Sequence, residues 1–234
     1  MNLDHTSPTP DAVLERLEQR IAERSILKHP FYQAWNAGAL DREQLATYAR
    51  FYYPHVAAFP GHLEAAADNA ADAVIRAELL DNLREERSEP RPHPEIWLSF
   101  AAALGLEPEA VEQAAPAAAA QATVDTFREL CEGDTAGALA ALYCYESQQP
   151  EVSHTKAEGL KRFYGVDDAE GLEYFTVHQE ADLRHREGEI RSLRRCLEAG
   201  ADGEAVLAAA ERALDAYWGL LDGVCEEARV LPVC

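Results

Sequence analysis

Three side chains able to ligate a metal ion recur within one short stretch, Tyr174 to Arg195 (YFTVHQEADLRHREGEIRSLRR), where His178, Asp182 and His185 stand at i, i+4 and i+7. On an α-helix, at 100° per residue, they fall within about 60° of one another. Two imidazoles and a carboxylate on one stripe can converge on a single point, although the same spacing fits a solvated face that happens to carry two histidines. Tyr174, Phe175 and Leu183 favour burial, and further ligand types stand at the ends of other predicted helices. Glu86 and His93 flank Pro90 and Pro92, and Glu146 follows the almost uncharged run 135–145. A carboxylate on so apolar a helix must find a cation or stay protonated.

Glu86, His93, Glu146, His178, Asp182 and His185 therefore form a candidate six-residue site. Three carboxylates and three imidazoles suit iron or manganese, and no thiolate pattern points to an iron–sulfur cluster. Against two divalent ions the three carboxylates leave a charge of about +1, which favours oxygen-based ligands at open positions. The pattern differs from ferritin-type sites, which repeat Glu-x-x-His on two helices. His5, His29, His55, His62 and His154 have no paired carboxylate spacing.

The elements that must position these residues are helical. Ala, Leu, Glu, Arg and Gln dominate, β-branched residues are sparse, and no Pro/Gly/Ser-rich linker divides the 234 residues. We expect one all-α domain over 11–234 after a disordered tail, 1–10. Periodicity predicts a helix from Asp11 to about Leu27 and a short aromatic helix after Pro30, ended by Gly38. A long helix capped by Asp41 and Gln44 follows, interrupted at Pro54 and Pro60. Further helices run from Asp72 to Arg87, from Pro94 to before Gly105, through 114–133, from Asp134 toward Pro150, from Val152 to Tyr164, from Ala169 to Ala199, and from Gly203 to Ala228.

Charge and cysteine usage exclude several classes. A net charge of −21 repels nucleic-acid backbones and anionic membrane surfaces. No apolar run is long enough to span a bilayer, and MNLDHTSPTP lacks the features of a secretory signal, so the expected compartment is the cytoplasm. Five widely spaced cysteines without a Cys-x-x-Cys pair suggest neither a disulfide framework nor a thiolate zinc site. Cys131, Cys144, Cys196 and Cys225 are expected in or near the core, and Cys234 exposed.

Three segments, HPFYQAWNAGALDREQLATYARFYYPHVAAFPGHL, LYCYESQQPEVSHTKAEGLKRFYG and YFTVHQEADLRHREGE, carry a resemblance over roughly Leu27 to Gly223. They are similar to segments of the chlamydial protein associating with death domains (CADD) and its bacterial relatives. That resemblance implies a haem-oxygenase-like helical bundle, shared with the TenA thiaminases and the pyrroloquinoline-quinone synthases. It also implies a dimetal oxygenase that makes p-aminobenzoate for folate biosynthesis at the cost of its own side chains. The same six residues match the family's metal ligands, for Fe/Fe or Fe/Mn with O2 and a reductant. Tyr32 matches the tyrosine that supplies the ring, Lys156 the lysine that supplies the amino group, and Tyr48, Tyr145 and Tyr174 other tyrosines of the site. A homodimer and an unidentified electron donor are implied as partners.

Lysine usage adds an independent hint: Lys28, Lys156 and Lys161 stand against eighteen arginines. A retained lysine points to amine chemistry that guanidinium cannot do, unless Lys156 and Lys161 are surface residues of one helix. The acidic N-terminal tail and the CEEARVLPVC terminus depart from the family and put host-protein binding in doubt. Two other functions stay open: a dimetal oxygenase of the same fold acting on an external small molecule, and a death-domain binding protein with a vestigial site.

Overall fold

The computed structural model describes residues 8–88 and 90–231. Residues 1–7, with His5 and most of the expected tail, and Cys234 lie outside the described residues. In chain order the helices are α1 (Pro10–Glu23), α2 (Pro30–Asn36), α3 (Arg42–Asn69), α4 (Ala73–Ser88), α5 (His93–Ala103), α6 (Pro108–Glu112), α7 (Ala118–Cys131), α8 (Thr135–Glu146), α9 (Gln149–Gly159), α10 (Ala169–Glu198) and α11 (Gly203–Ala228). A 3-10 turn (Ile26–Lys28) precedes α2, and a π-helical turn (Leu160–Tyr164) prolongs α9. Among the described residues there is no strand, and no helix is long and apolar enough to cross a membrane.

Local signals set most helix ends. Asp41 and Gln44 form a reciprocal capping box on α3, and Asp134 and Asp168 accept from backbone amides opening α8 and α10. Gly38, Gly105, Gly165 and Gly200 take positive φ just after helical segments. Two expectations need correction. The first helix starts at Pro10, with Thr9 as its cap, and stops at Glu23 rather than near Leu27. The Ile26 amide donates instead to Gln148 Oε1, 2.9 Å away at the end of α8, so a tertiary bond replaces the helical one. α3 runs unbroken through Pro54 and Pro60. Each proline removes one backbone bond, but Tyr48, Tyr52, Val56, Phe59 and Leu63 are buried along a helix packed against α4, α5, α7 and α11. Tertiary burial keeps the rod continuous.

α8 is the axis of the bundle. Every residue from Ala136 to Glu146 is buried, and α3, α7, α10 and α11 pack around it. A helix apolar on all sides can only sit at the centre of such a fold. Its one carboxylate, Glu146, is thereby carried to the core at the helix's last turn, against α10. α2 and α9 meet on another side, where a Cβ on Gly159 would lie 2.7 Å from the Trp35 indole nitrogen. That close approach sets the distance between Tyr32 on α2 and Lys156 on α9. Gly159→Ala should destabilise the protein by about 1–3 kcal/mol through overpacking, read as a lowered thermal midpoint with helical content retained.

Candidate metal centre

The α10 stripe is buried as the spacing predicts: His178, Asp182 and His185 all lie in the interior. Leu183 does not contribute to that burial, being 48% exposed. The cover comes instead from Tyr174 and Phe175 and from α4, α5, α8 and α9 against α10. Two triads result. Glu86 near the end of α4 and His93 at the start of α5 meet His178, while Glu146 at the end of α8 meets Asp182 and His185. Within each triad the candidate ligand atoms lie within 4.8 Å of one another.

In the first triad His93 Nδ1 is 2.7 Å and His178 Nε2 3.7 Å from Glu86 Oε1. His178 Nδ1 lies 2.6 Å from the Tyr174 carbonyl, a bond that fixes the ring and leaves Nε2 facing the carboxylate. In the second, His185 Nδ1 is 3.1 Å from Glu146 Oε1 and 3.4 Å from Asp182 Oδ1. The sequence reading missed three supporting side chains. Asn82 donates to both Glu146 oxygens at 2.9 and 3.1 Å, Glu85 Oε2 lies 3.1 Å from His185 Nε2, and Glu189 is buried beside Glu146. Spacing held a signal for two of them, since Asn82 is four residues before Glu86 and Glu189 four after His185.

The electrostatics follow from this crowding. Burial pushes the Glu86 carboxyl up, yet His93 and His178 outweigh it and hold it well below the usual range. Burial disfavours the His185 imidazolium, but Asp182 and Glu146 overcome it and push its pKa to about 11. Burial opposes protonation of His178 too, and Asp182 and Glu86 raise it. Burial, with Glu146 adding to it, raises Asp182. Without metal, protons therefore stand where positive charge is required. The donor set fits divalent metal: six N and O ligands in two triads, no thiolate, and Asp182 Oδ2 buried without a hydrogen-bond partner.

A second buried constellation surrounds Lys156, which is 2% exposed and unlike any surface lysine. Its Nζ donates to Tyr48 Oη at 2.5 Å and lies 4.9 Å from the centroid of the Tyr32 ring. The rings of Tyr52 and Phe175 complete the cage at 5.3 and 5.5 Å. Burial drives the Lys156 pKa well below that of a free lysine and so favours the neutral form of the amine. Tyr32 Oη is 3.3 Å from Tyr48 Oη, and the ring itself is fully buried.

Tyrosines link the two constellations. Tyr174 stacks on His178 with ring centroids 4.0 Å apart and meets Tyr145, whose hydroxyl lies 3.2 Å from that of Tyr52. Tyr52 donates in turn to Tyr217 at 2.9 Å and packs on Tyr48. Tyr52 and Tyr217 were not singled out as site residues by the sequence. Among the other histidines, His29 Nδ1 caps α2 by accepting from the Phe31 amide, and His55 and His62 lie buried among aromatic rings.

The family model of iron-containing redox enzymes matches residues 46–218. The chain belongs to this haem-oxygenase-like family, in its CADD-like branch. It is 38% identical over 222 residues to the 4-aminobenzoate synthase of Nitrosomonas europaea, covering 91% of this chain and 90% of that protein. The 4-aminobenzoate synthase of Chlamydia trachomatis is 40% identical over 210 residues, with coverages of 89% and 90%. The fold matches the crystal structure of a CADD-like protein from Nostoc punctiforme at a TM-score of 0.76 and 19% identity, covering 94% of this chain and 98% of that one.

Two expectations follow from these environments. Ligation requires neutral imidazoles, so an ion entering the second triad must displace the His185 proton. With that pKa at about 11, proton competition extends through neutral pH, beyond the value near 6 expected of an ordinary imidazole. Apparent Mn2+ affinity should rise roughly tenfold per pH unit from pH 6 to 9 for one displaced proton; calorimetry in buffers of different ionisation enthalpy should register that proton. For Lys156 the lowered pKa means that the unfolded chain binds a proton the folded chain excludes. Stability is therefore lost as pH falls below about 10.4, the unfolded value. Lys156→Met should raise the melting temperature at pH 7, with a gain that shrinks toward pH 10, and an equal gain at both pH values would contradict the neutral amine.

Proposed function

We propose that the protein is a dimetal- and O2-dependent p-aminobenzoate synthase that consumes its own Tyr32 and Lys156. The observation that carries this reading is the contact between a buried neutral amine and a fully buried phenol ring, 4.9 Å from nitrogen to ring centroid. An amine donor and an aromatic ring held in one closed cage replace the binding of an outside substrate by proximity. The similarity to 4-aminobenzoate synthases names the product that such a pair would give.

In this reading Glu86, His93 and His178 hold one metal ion and Glu146, Asp182 and His185 the other, as Fe/Fe or Fe/Mn. Bound in their reduced state, such metals would pass electrons to O2, and O2 would be the oxidant for the buried side chains. Asn82 fixes the Glu146 carboxylate, and the Tyr174 carbonyl fixes His178. The ring chain Tyr174, Tyr145, Tyr52 and Tyr48 connects the centre with the cage, so an oxidising equivalent can reach Tyr32 without either side chain leaving the core. Tyr48 accepts the Lys156 N–H and keeps the nitrogen lone pair directed among the rings. An unidentified electron donor supplies reductant, the product serves folate synthesis, and a homodimer is the expected assembly.

A second reading, an oxygenase acting on an external molecule, draws on a surface cavity of about 340 Å³ beside His185. Isotopic labelling separates the two. Protein labelled with ring-13C tyrosine and given Fe2+, reductant and O2 should release labelled p-aminobenzoate, at most about one equivalent per chain, because each chain has one Tyr32 to consume. Tyr32→Phe and Lys156→Met should each abolish release while retaining metal. Many turnovers per chain, or full product from Tyr32→Phe, would establish an external substrate.

A further inference from the structure

Among the described residues Glu189 is the one buried carboxylate that neither triad uses, and its surroundings give it no partner other than a further carboxylate. It lies on α10 one turn beyond His185 and two beyond Asp182, which places it on the ligand stripe. The side chain is 4% exposed, and neither oxygen has a hydrogen-bond donor in reach. Its neighbour is Glu146, whose own oxygens receive Asn82 and His185. Two carboxylates facing each other in the core must share a proton or a cation.

Glu189 and His185 also line the floor of the cavity of about 340 Å³ between α4 and α10. Glu78, Asp81, Glu85 and Glu187 bring negative charge to its wall, with Arg184 and Arg191 as counter-charges. Arg184 is held by Glu85 at 2.8 Å, Arg191 by Glu78 at 3.4 Å and Asp81 by Arg84 at 2.9 Å, so four carboxylates meet three guanidiniums and a small surplus of acid remains. Gly188 shapes the passage: a Cβ there would lie 2.6 Å from Glu78 Oε2. The first triad has no counterpart to this opening among the described cavities: Glu86 and His178 line a narrow cleft that they share with Glu146 and Asp182 of the second triad and with Val56, Phe59, Tyr145 and Tyr174.

We propose that Glu189 is a seventh protein ligand, through which divalent first-row cations enter from the acidic cavity and are retained at the Glu146–Asp182–His185 position. The assignment rests on the reading of the two triads as metal sites and adds a third carboxylate to one of them. A carboxylate between cavity and triad replaces the hydration shell of an entering ion with protein oxygen before the inner ligands close on it. The two metal positions then differ, with the second loading and exchanging faster than the first.

Apoprotein titrated anaerobically with Mn2+, with free ion followed by electron paramagnetic resonance, tests this without recourse to activity. Wild type should bind two ions per chain, and Asp182→Ala should lose at least one. Glu189→Gln, which keeps shape and can donate to Glu146, should keep the apoprotein folded. It should bind one ion as wild type does and the other at least tenfold more weakly, the scale on which loss of a metal's supporting group is felt. It should also bind that ion more slowly in stopped flow. Two ions bound by Glu189→Gln with unchanged affinity and rate would overturn the assignment while leaving the triads intact. Failure of wild type to bind two ions would overturn the triad reading and this assignment with it. Glu187→Gln, on the cavity wall, serves as the comparison: a loss equal to that of Glu189→Gln would assign the effect to general acidity and overturn the ligand role.

Discussion

A carboxylate in a helical core is costly unless positive charge is held against it, and this bundle buries Glu86, Glu146, Asp182 and Glu189 together. Three imidazoles stand among them, and no lysine or arginine does. The interior therefore requires protons held against these carboxylates, or cations in their place. Helix α8 is where the constraint is most severe. It has no polar face that could turn Glu146 toward water, so the residues that meet it on α4 and α10 must supply the compensation.

The Lys156 cage poses the opposite problem. Its amine is buried among rings with one phenolic partner, and the environment removes the charge instead of balancing it. These two solutions lie in one core and are joined by stacked and hydrogen-bonded tyrosines. The polar centre suits a cation, and the aromatic end disfavours charge on the side chains it encloses. The close approach of Trp35 to Gly159 holds α9 against α2, so that packing rather than a salt bridge positions the nitrogen.

Much of this was legible in the chain. The i, i+4, i+7 stripe of His178, Asp182 and His185 is intrinsic to helical geometry, and capping residues such as Asp41, Asp134 and Asp168 mark helix starts by local hydrogen bonds. Ligand types and the uncharged run before Glu146 followed from composition alone. Short-range signals failed where a long-range contact decided the outcome. Pro54 and Pro60 read as breaks by local rules, but buried side chains along α3 keep it continuous through them. Leu183 looked like core because residue type cannot say which helix faces meet.

The sequence by itself determined that the chain is helical, that three ligands share one face, and that lysine at 156 is unusual among so many arginines, because each of these is a property of neighbours along the chain. Tertiary structure alone decided how the six candidate ligands divide into two triads, which lysine is buried, and that Asn82, Glu85 and Glu189 lie beside them. Each of those depends on which surfaces of distant helices touch. Burial then sets the charge state of every group involved, and burial is a property of the packed bundle.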